Sequence, residues 1–170
     1  MDLKKFIRDI PDFPQPGVLF RDITPLLGNP GALQYVLDRL VEHAERQEAE
    51  AIVGIESRGF IFGSAMADRM TLPFVPVRKP GKLPSTRMSV EYSLEYGDSQ
   101  LDIHADAMAP ATRAYIVDDL LATGGTAVAA AKLVELVGAR ICGMGFVVEL
   151  SALGGRTRLA DYDLFSIVHY

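Results

Sequence analysis

Tyr115-Ile116-Val117-Asp118-Asp119-Leu120-Leu121-Ala122-Thr123-Gly124-Gly125-Thr126 is the stretch on which the reading of this chain turns. An apolar run ends in two adjacent carboxylates. A Thr/Gly turn follows, and the Ala-rich segment from Ala127 to Val137 reads as a helix. Strand, acidic pair, glycine turn and helix start together suit a sugar phosphate. The turn can aim several backbone N–H groups at one anion, and the helix start adds the positive end of its dipole. The two carboxylates can accept hydrogen bonds from neighbouring ribose hydroxyls.

Outward from this stretch, strand and helix patterns alternate. Residues 3–10 read as a short amphipathic helix stopped by Pro11, and Pro14, Pro16 and Gly17 impose an irregular segment after it. Asn29-Pro30 is a helix start, and Leu33, Val36, Leu37, Leu40 and Val41 recur at helical spacing, predicting a helix over 30–47. Strands are predicted at 51–55, 74–77, 114–118, 141–149 and 164–168, and helices at 60–70, 126–137 and, briefly, 154–160. Residues 79–91, rich in Lys, Pro, Gly and Ser, read as a long loop of the kind that covers active sites. A hairpin is predicted from 92–96 and 101–104, turning at Gly97-Asp98. The fold class is therefore α/β, a parallel sheet flanked by helices, with motifs gathered at the carboxyl ends of its strands.

The chain has 170 residues, 49% apolar and 23% charged, which suits one soluble domain over 1–170. No apolar run is long enough to span a bilayer, and residues 1–8 lack the apolar core of a signal peptide. Cys142 is the only cysteine, so no intrachain disulfide forms, and a reducing cytoplasm is expected. A net charge of −5 argues against a nucleic-acid partner. His43, His104 and His169 are scattered without metal-ligand spacing and read as structural.

Two further runs carry chemistry. Glu56-Ser57-Arg58-Gly59 follows a core strand; Arg58 can fork two hydrogen bonds onto a phosphate, and Gly59 lets backbone approach it. Arg78-Lys79-Pro80-Gly81-Lys82 places three cations at the next strand's carboxyl end, where a charge run would otherwise be a solvated face.

These motifs, in this order, resemble the type I phosphoribosyltransferases, and Leu-Leu-Ala-Thr-Gly-Gly-Thr is similar to the form found in the adenine-specific branch. The resemblance runs from about Phe13 to the C-terminus. It implies that phosphoribosyl diphosphate is held by Ser57, Arg58, Arg78, Lys79, Lys82, Asp118, Asp119, Ala122, Thr123, Gly124, Gly125 and Thr126. It implies a small N-terminal hood, about 1–28. There Phe13-Pro14-Gln15-Pro16-Gly17-Val18-Leu19-Phe20-Arg21 would bring Phe20 against a purine and the backbone of Leu19 and Arg21 to its edge, with Leu150 on the other face. It implies a flexible lid, about 79–97, ending in Leu94-Glu95-Tyr96-Gly97, with Glu95 as general acid/base; Arg58 is implied as a catalytic cation that neutralises the leaving group. Read without the resemblance, that segment is a strand with Tyr92, Leu94 and Tyr96 inward. Leu153-Gly154-Gly155-Arg156 also matches, but Gly154-Gly155 reads simply as a turn. Mg²⁺ is the implied cofactor, held mainly by substrate phosphates and ribose, with no firm protein ligand. The implied partners are adenine, phosphoribosyl diphosphate and a second copy of the chain in a homodimer.

Ala122 bears on the base. Hypoxanthine-guanine enzymes carry an Asp there that acts on the purine N7, so Glu95 inherits that role here and the expected product is AMP. Two other readings stay open: transfer to another base such as xanthine, and a sensor that binds the ligand without turnover. The chain's acidity and the absence of room before Phe13 for a DNA-binding domain weigh against the sensor. A P-loop nucleotidase is excluded, because no Gly-Lys-Ser/Thr follows the glycines.

Overall fold

Pro11 ends a strand rather than a helix. The computed structural model describes residues 1–94 and 97–170, Leu94 by its backbone alone, in two compact units, Met1–Arg39 and Leu40–Tyr170. In the first, a 3-10 turn, Leu3–Phe6, gives way to β1 (Arg8–Pro11), paired antiparallel with β2 (Leu19–Asp22). The helix predicted over 3–10 is thus corrected. Proline is tolerated at the end of a strand that lacks a neighbour on one side. The register sets Arg8 opposite Asp22 and Asp9 opposite Arg21, and both pairs form ion pairs across the strands. A single turn, α1 (Thr24–Leu27), and the start of α2 (Pro30–Arg46) follow, with the Asn29 side chain accepting the Ala32 N–H at 2.9 Å. The predicted helix start is therefore in place, with Asn29 as its cap.

The second unit holds a five-stranded, all-parallel sheet. Along the chain come β3 (Ala51–Ile55), α3 (Gly59–Met70) and β4 (Phe74–Val77), then β5 (Arg87–Leu94), β6 (Gly97–His104) and β7 (Arg113–Leu121). After them come α4 (Gly125–Leu136), β8 (Arg140–Glu149), a 3-10 turn at Ser151–Leu153, α5 (Gly155–Arg158) and β9 (Leu164–His169). The sheet order is β4-β3-β7-β8-β9. From β3 the chain proceeds to one side and from β7 to the other, so the switch point lies between these two strands.

Both faces are buried, yet side-chain alternation still sorts the contacts. Val53, Ile55, Ala114 and Ile116 share one cluster with the alanines of α4 and with Leu101 and Ile103 of β6. On the other face, Tyr115 meets His43 from the end of α2, and Val117 meets the α3 backbone at Gly63. Gly145 makes room for Tyr115. A Cβ there would stand 2.6 Å from the phenol oxygen and 2.8 Å from Leu40 Cδ2.

The segment read as a loop over 79–91 is shorter, because β5 begins at Arg87. The hairpin is longer than expected, pairing Arg87 with His104 through to Leu94 with Gly97, so Gly97 belongs to a strand. Its base is fastened to the sheet by two backbone bonds between Arg78 and Asp102, at 2.9 and 2.7 Å. The cause is apolar: Val90 and Tyr92 pack on the same cluster as α4, which a solvated loop could not do. Among the described residues, no helix is long and apolar enough to cross a membrane.

Candidate active site

The carboxyl ends of β3 and β7 open on a cleft of about 360 Å³ at the switch point. Ser57, Arg58, Lys79, Asp118, Asp119, Ala122, Thr123, Gly124, Gly125 and Thr126 all line it, which brings together most of the residues singled out in the sequence. Tyr92, Ser99 and Leu101 of the hairpin complete the wall, and the Thr126 hydroxyl stands 3.5 Å from the Tyr92 phenol oxygen.

Local sequence explains the shape. Gly124 takes φ +83°, a left-handed conformation that glycine adopts without penalty, and so turns the chain from β7 into α4. The first helical bond runs from Val128 N–H to the Gly124 carbonyl at 2.9 Å, and the N–H groups ahead of it have no partner within the helix. Gly59 permits the other wall. A Cβ there would stand 2.8 Å from the Val117 carbonyl oxygen and 2.9 Å from Asp118 Oδ1, so only glycine lets the start of α3 approach β7. That approach carries Arg58 onto Asp119, where Nε donates to the carboxylate.

The acidic pair lies within β7 rather than beyond it. Asp118 Oδ1 accepts the Asp119 N–H at 2.9 Å. Burial pushes the Asp118 carboxyl well above the usual carboxylate range, and the adjacent Asp119 charge adds to this. A site that crowds two carboxylates in this way is prepared for hydroxyl donors and positive charge.

Glu56, quoted in the sequence but given no role there, ties the two cation loops together. Its Oε2 accepts from Arg78 Nε at 3.2 Å and from the Lys79 N–H at 2.9 Å, and Arg78 Nη1 donates to the Lys82 carbonyl at 3.3 Å. Burial would raise the Glu56 carboxyl, but these donors and the Lys82 charge outweigh it and hold it low. Only a long-range contact gives Glu56 this function, and no local sequence signal carries it. Arg78 and Lys82 are absent from the cleft wall as described.

Leu150 follows β8 and donates its N–H to the Leu121 carbonyl at 2.9 Å. In the N-terminal unit, Leu19 is exposed, Phe20 packs edge-on against Phe13 at 5.1 Å, and Arg21 pairs with Asp9. Tyr92 turns inward as expected; Glu95 and Tyr96 lie outside the described residues. Among the described residues, no group of three or more His, Cys, Asp or Glu is placed to hold a metal ion. The hard oxygens of Asp118 and Asp119 do fit a Mg²⁺ that arrives on a diphosphate.

The phosphoribosyl transferase domain family matches residues 31–169. A curated relative, the adenine phosphoribosyltransferase of Synechocystis sp., is 55% identical over 172 residues, covering 100% of both chains. Among solved structures, adenine phosphoribosyltransferase from Thermoanaerobacter pseudethanolicus superimposes with a TM-score of 0.96 at 47% identity, covering 99% of this chain and 98% of that one. The Saccharomyces cerevisiae enzyme was solved with D-2,5-dideoxy-2,5-imino-altritol 1,6-bisphosphate and adenine. It gives a TM-score of 0.93 at 40% identity, covering 98% and 96%. With matches along its full length, the chain belongs to the phosphoribosyltransferase family, within its adenine phosphoribosyltransferase branch.

Proposed function

We propose that this cleft transfers the 5-phosphoribosyl group of phosphoribosyl diphosphate to adenine, giving AMP and pyrophosphate. The observation that carries the reading is the junction of Asp118-Asp119, the 122–126 turn and Arg58 around one cleft at the switch point. The three parts match the ribose hydroxyls, the 5′-phosphate and the diphosphate of one substrate.

In this division of labour, backbone N–H groups and hydroxyls of Ala122, Thr123, Gly124, Gly125 and Thr126 anchor the 5′-phosphate. Asp118 and Asp119 accept hydrogen bonds from the ribose hydroxyls, and their charge favours the oxocarbenium character that develops at C1′ as the diphosphate leaves. Ser57, Arg58, Arg78, Lys79 and Lys82 take up the charge of the leaving group. Asp118 and Asp119 would help hold a Mg²⁺ arriving with the substrate, which would supply further neutralisation of that charge. Glu95 is the general acid/base at the purine, and Leu19, Phe20, Arg21 and Leu150 recognise adenine; both assignments rest on the resemblance of their segments. A lid over about 79–97 would exclude water from the activated sugar.

A single catalytic domain over 1–170, a homodimer and a cytoplasmic setting complete the proposal. The family resemblance supports the dimer, and the lone Cys142 supports the reducing compartment.

The test is a Mg²⁺-dependent turnover assay with phosphoribosyl diphosphate, offering adenine, hypoxanthine, guanine and xanthine side by side. AMP from adenine alone is expected. Turnover of another base would overturn the specificity while leaving the reaction class. Binding of phosphoribosyl diphosphate without turnover of any base would favour the sensor.

A further inference from the structure

Among the described residues, the cleft wall includes none of 150–158, yet this segment presses on the back of the 122–126 turn. A Cβ built on Gly155 would stand 2.3 Å from the Ala122 carbonyl oxygen, and 2.9 and 3.1 Å from Leu121 Cδ1 and Cγ. Real contacts of that kind do not occur, so any side chain at 155 must displace the turn or be displaced. The contact is reciprocal: a Cβ on Gly124 would stand 3.0 Å from the Gly155 carbonyl oxygen and 3.2 Å from its Cα. Two donors reach the same backbone. Leu150 N–H meets the Leu121 carbonyl at 2.9 Å, and Arg158 Nη1 meets the Thr123 carbonyl at 3.4 Å.

The carbonyls of Leu121 and Thr123 are therefore held by donors from behind, and that of Ala122, between them, packs against the Gly155 backbone. In a planar trans peptide, C=O and N–H point in opposite directions. Holding these carbonyls fixes the aim of the N–H groups of Ala122, Thr123 and Gly124, on residues that line the cleft.

The holding segment is itself fastened. Arg156 forks onto Glu149, Nε to Oε1 at 3.0 Å and Nη2 to Oε2 at 2.7 Å, and it reaches the Leu164 carbonyl and the Ser166 hydroxyl, each at 3.3 Å. Glu149 is buried at the end of β8, and the Arg156 guanidinium holds its carboxyl below the usual range. α5 is thus bolted to the rigid sheet, and the turn rests on α5.

We propose that Gly155, held in place by the Glu149–Arg156 pair, is a positioning residue for phosphate recognition: it sets the peptide planes of 122–124 that meet the 5′-phosphate. This rests on the assignment of that turn to the 5′-phosphate.

The experiment compares AMP with adenosine, which differ only in the phosphate. Binding of each to the full chain is measured by calorimetry for wild type, Gly155→Ala and Arg156→Gln. Gly155→Ala should weaken AMP about 10- to 100-fold, the value of one misaligned hydrogen bond to a charged group, with adenosine within about twofold. Arg156→Gln should move AMP in the same direction, by at least about threefold, since it frees α5 without adding an atom to the contact. Unchanged AMP affinity in folded variants, or equal weakening of AMP and adenosine, overturns the proposal. Should Gly155→Ala fail to fold, Arg156→Gln decides by the same two outcomes. Wild type that binds AMP no better than adenosine would instead sink the 5′-phosphate assignment, and this inference with it.

Discussion

The Arg58 guanidinium donates from Nε to the Asp119 carboxylate, pairing a cation proposed for the diphosphate with an anion proposed for the ribose. The pair joins the loop after β3 to the end of β7 across the switch point. Its Asp119 side chain is 8% exposed and its Arg58 side chain 44%, so the guanidinium is the half open to substrate. Arg58→Ala should raise the KM for phosphoribosyl diphosphate about 10- to 100-fold, the cost of a lost charge-assisted hydrogen bond. Steady-state kinetics checks this, and an unchanged KM would remove Arg58 from the diphosphate site.

Asp118 is a group whose function opposes stability. Its carboxyl is raised in the folded chain, so the folded state holds more protons than the unfolded one between the ordinary value, 3.8, and the raised one. Stability is then complete below the ordinary value and is lost as pH rises through the folded value. Asp118→Asn should therefore melt higher than wild type at neutral pH, with the gain shrinking toward pH 4, while phosphoribosyl diphosphate binding falls. Melting curves against pH that run parallel for the two proteins would contradict this.

Glu56→Gln should loosen Arg78 and the Lys79 backbone together. Removing a negative charge near a diphosphate helps binding only slightly, since Arg78 and the Lys79 N–H already offset that charge. Losing the contact that holds Arg78 costs more, about 1.5–3 kcal/mol. The net expectation is weaker pyrophosphate binding, by about tenfold or more. Titration with pyrophosphate reads it directly; tighter binding would mean that repulsion dominates.

Glu95→Gln should lower kcat with little change in the affinity for phosphoribosyl diphosphate, because an acid/base acts on the transition state and not on substrate binding. Single-turnover rates at saturating substrate measure this. Undiminished turnover would strip Glu95 of the role.

His43 is a pH-dependent part of the core away from the cleft. Its Nδ1 is 2.8 Å from the Tyr115 phenol oxygen and its Nε2 3.0 Å from Asp163, with Phe165 stacked at 4.9 Å. Burial lowers its pKa below 6.5, outweighing the upward pull of Asp163. A lowered histidine contributes stability above its unfolded value that is lost as pH falls toward the folded one. The melting temperature should therefore fall between about pH 7 and pH 5, and His43→Gln should flatten that slope. A slope equal to that of wild type would place the acid sensitivity elsewhere.

Strands 51–55 and 74–77 were legible to the residue, and the ends of α2, α3 and α4 fell within one residue of expectation. Their apolar periods and caps are local. The hairpin at 87–104 was only half legible, because β5 owes its length to packing on α4 through Val90 and Tyr92. The strand at 8–11 was misread because its partner lies beyond a Pro-rich loop, at 19–22.

The order of residues alone was enough for the alternating α/β pattern, the three loops at strand ends and the chemistry of each loop. Those depend on side-chain period, turn residues and charge, all of which act over a few neighbours. Tertiary structure decided which groups hold one another: Arg58 on Asp119, Glu56 on Arg78, and the Gly155 backbone against the Ala122 carbonyl. Such contacts join residues far apart in the chain, at distances set by how helices and strands pack. A glycine that serves as a turn and a glycine that leaves room for another backbone look the same until the fold brings that backbone to it.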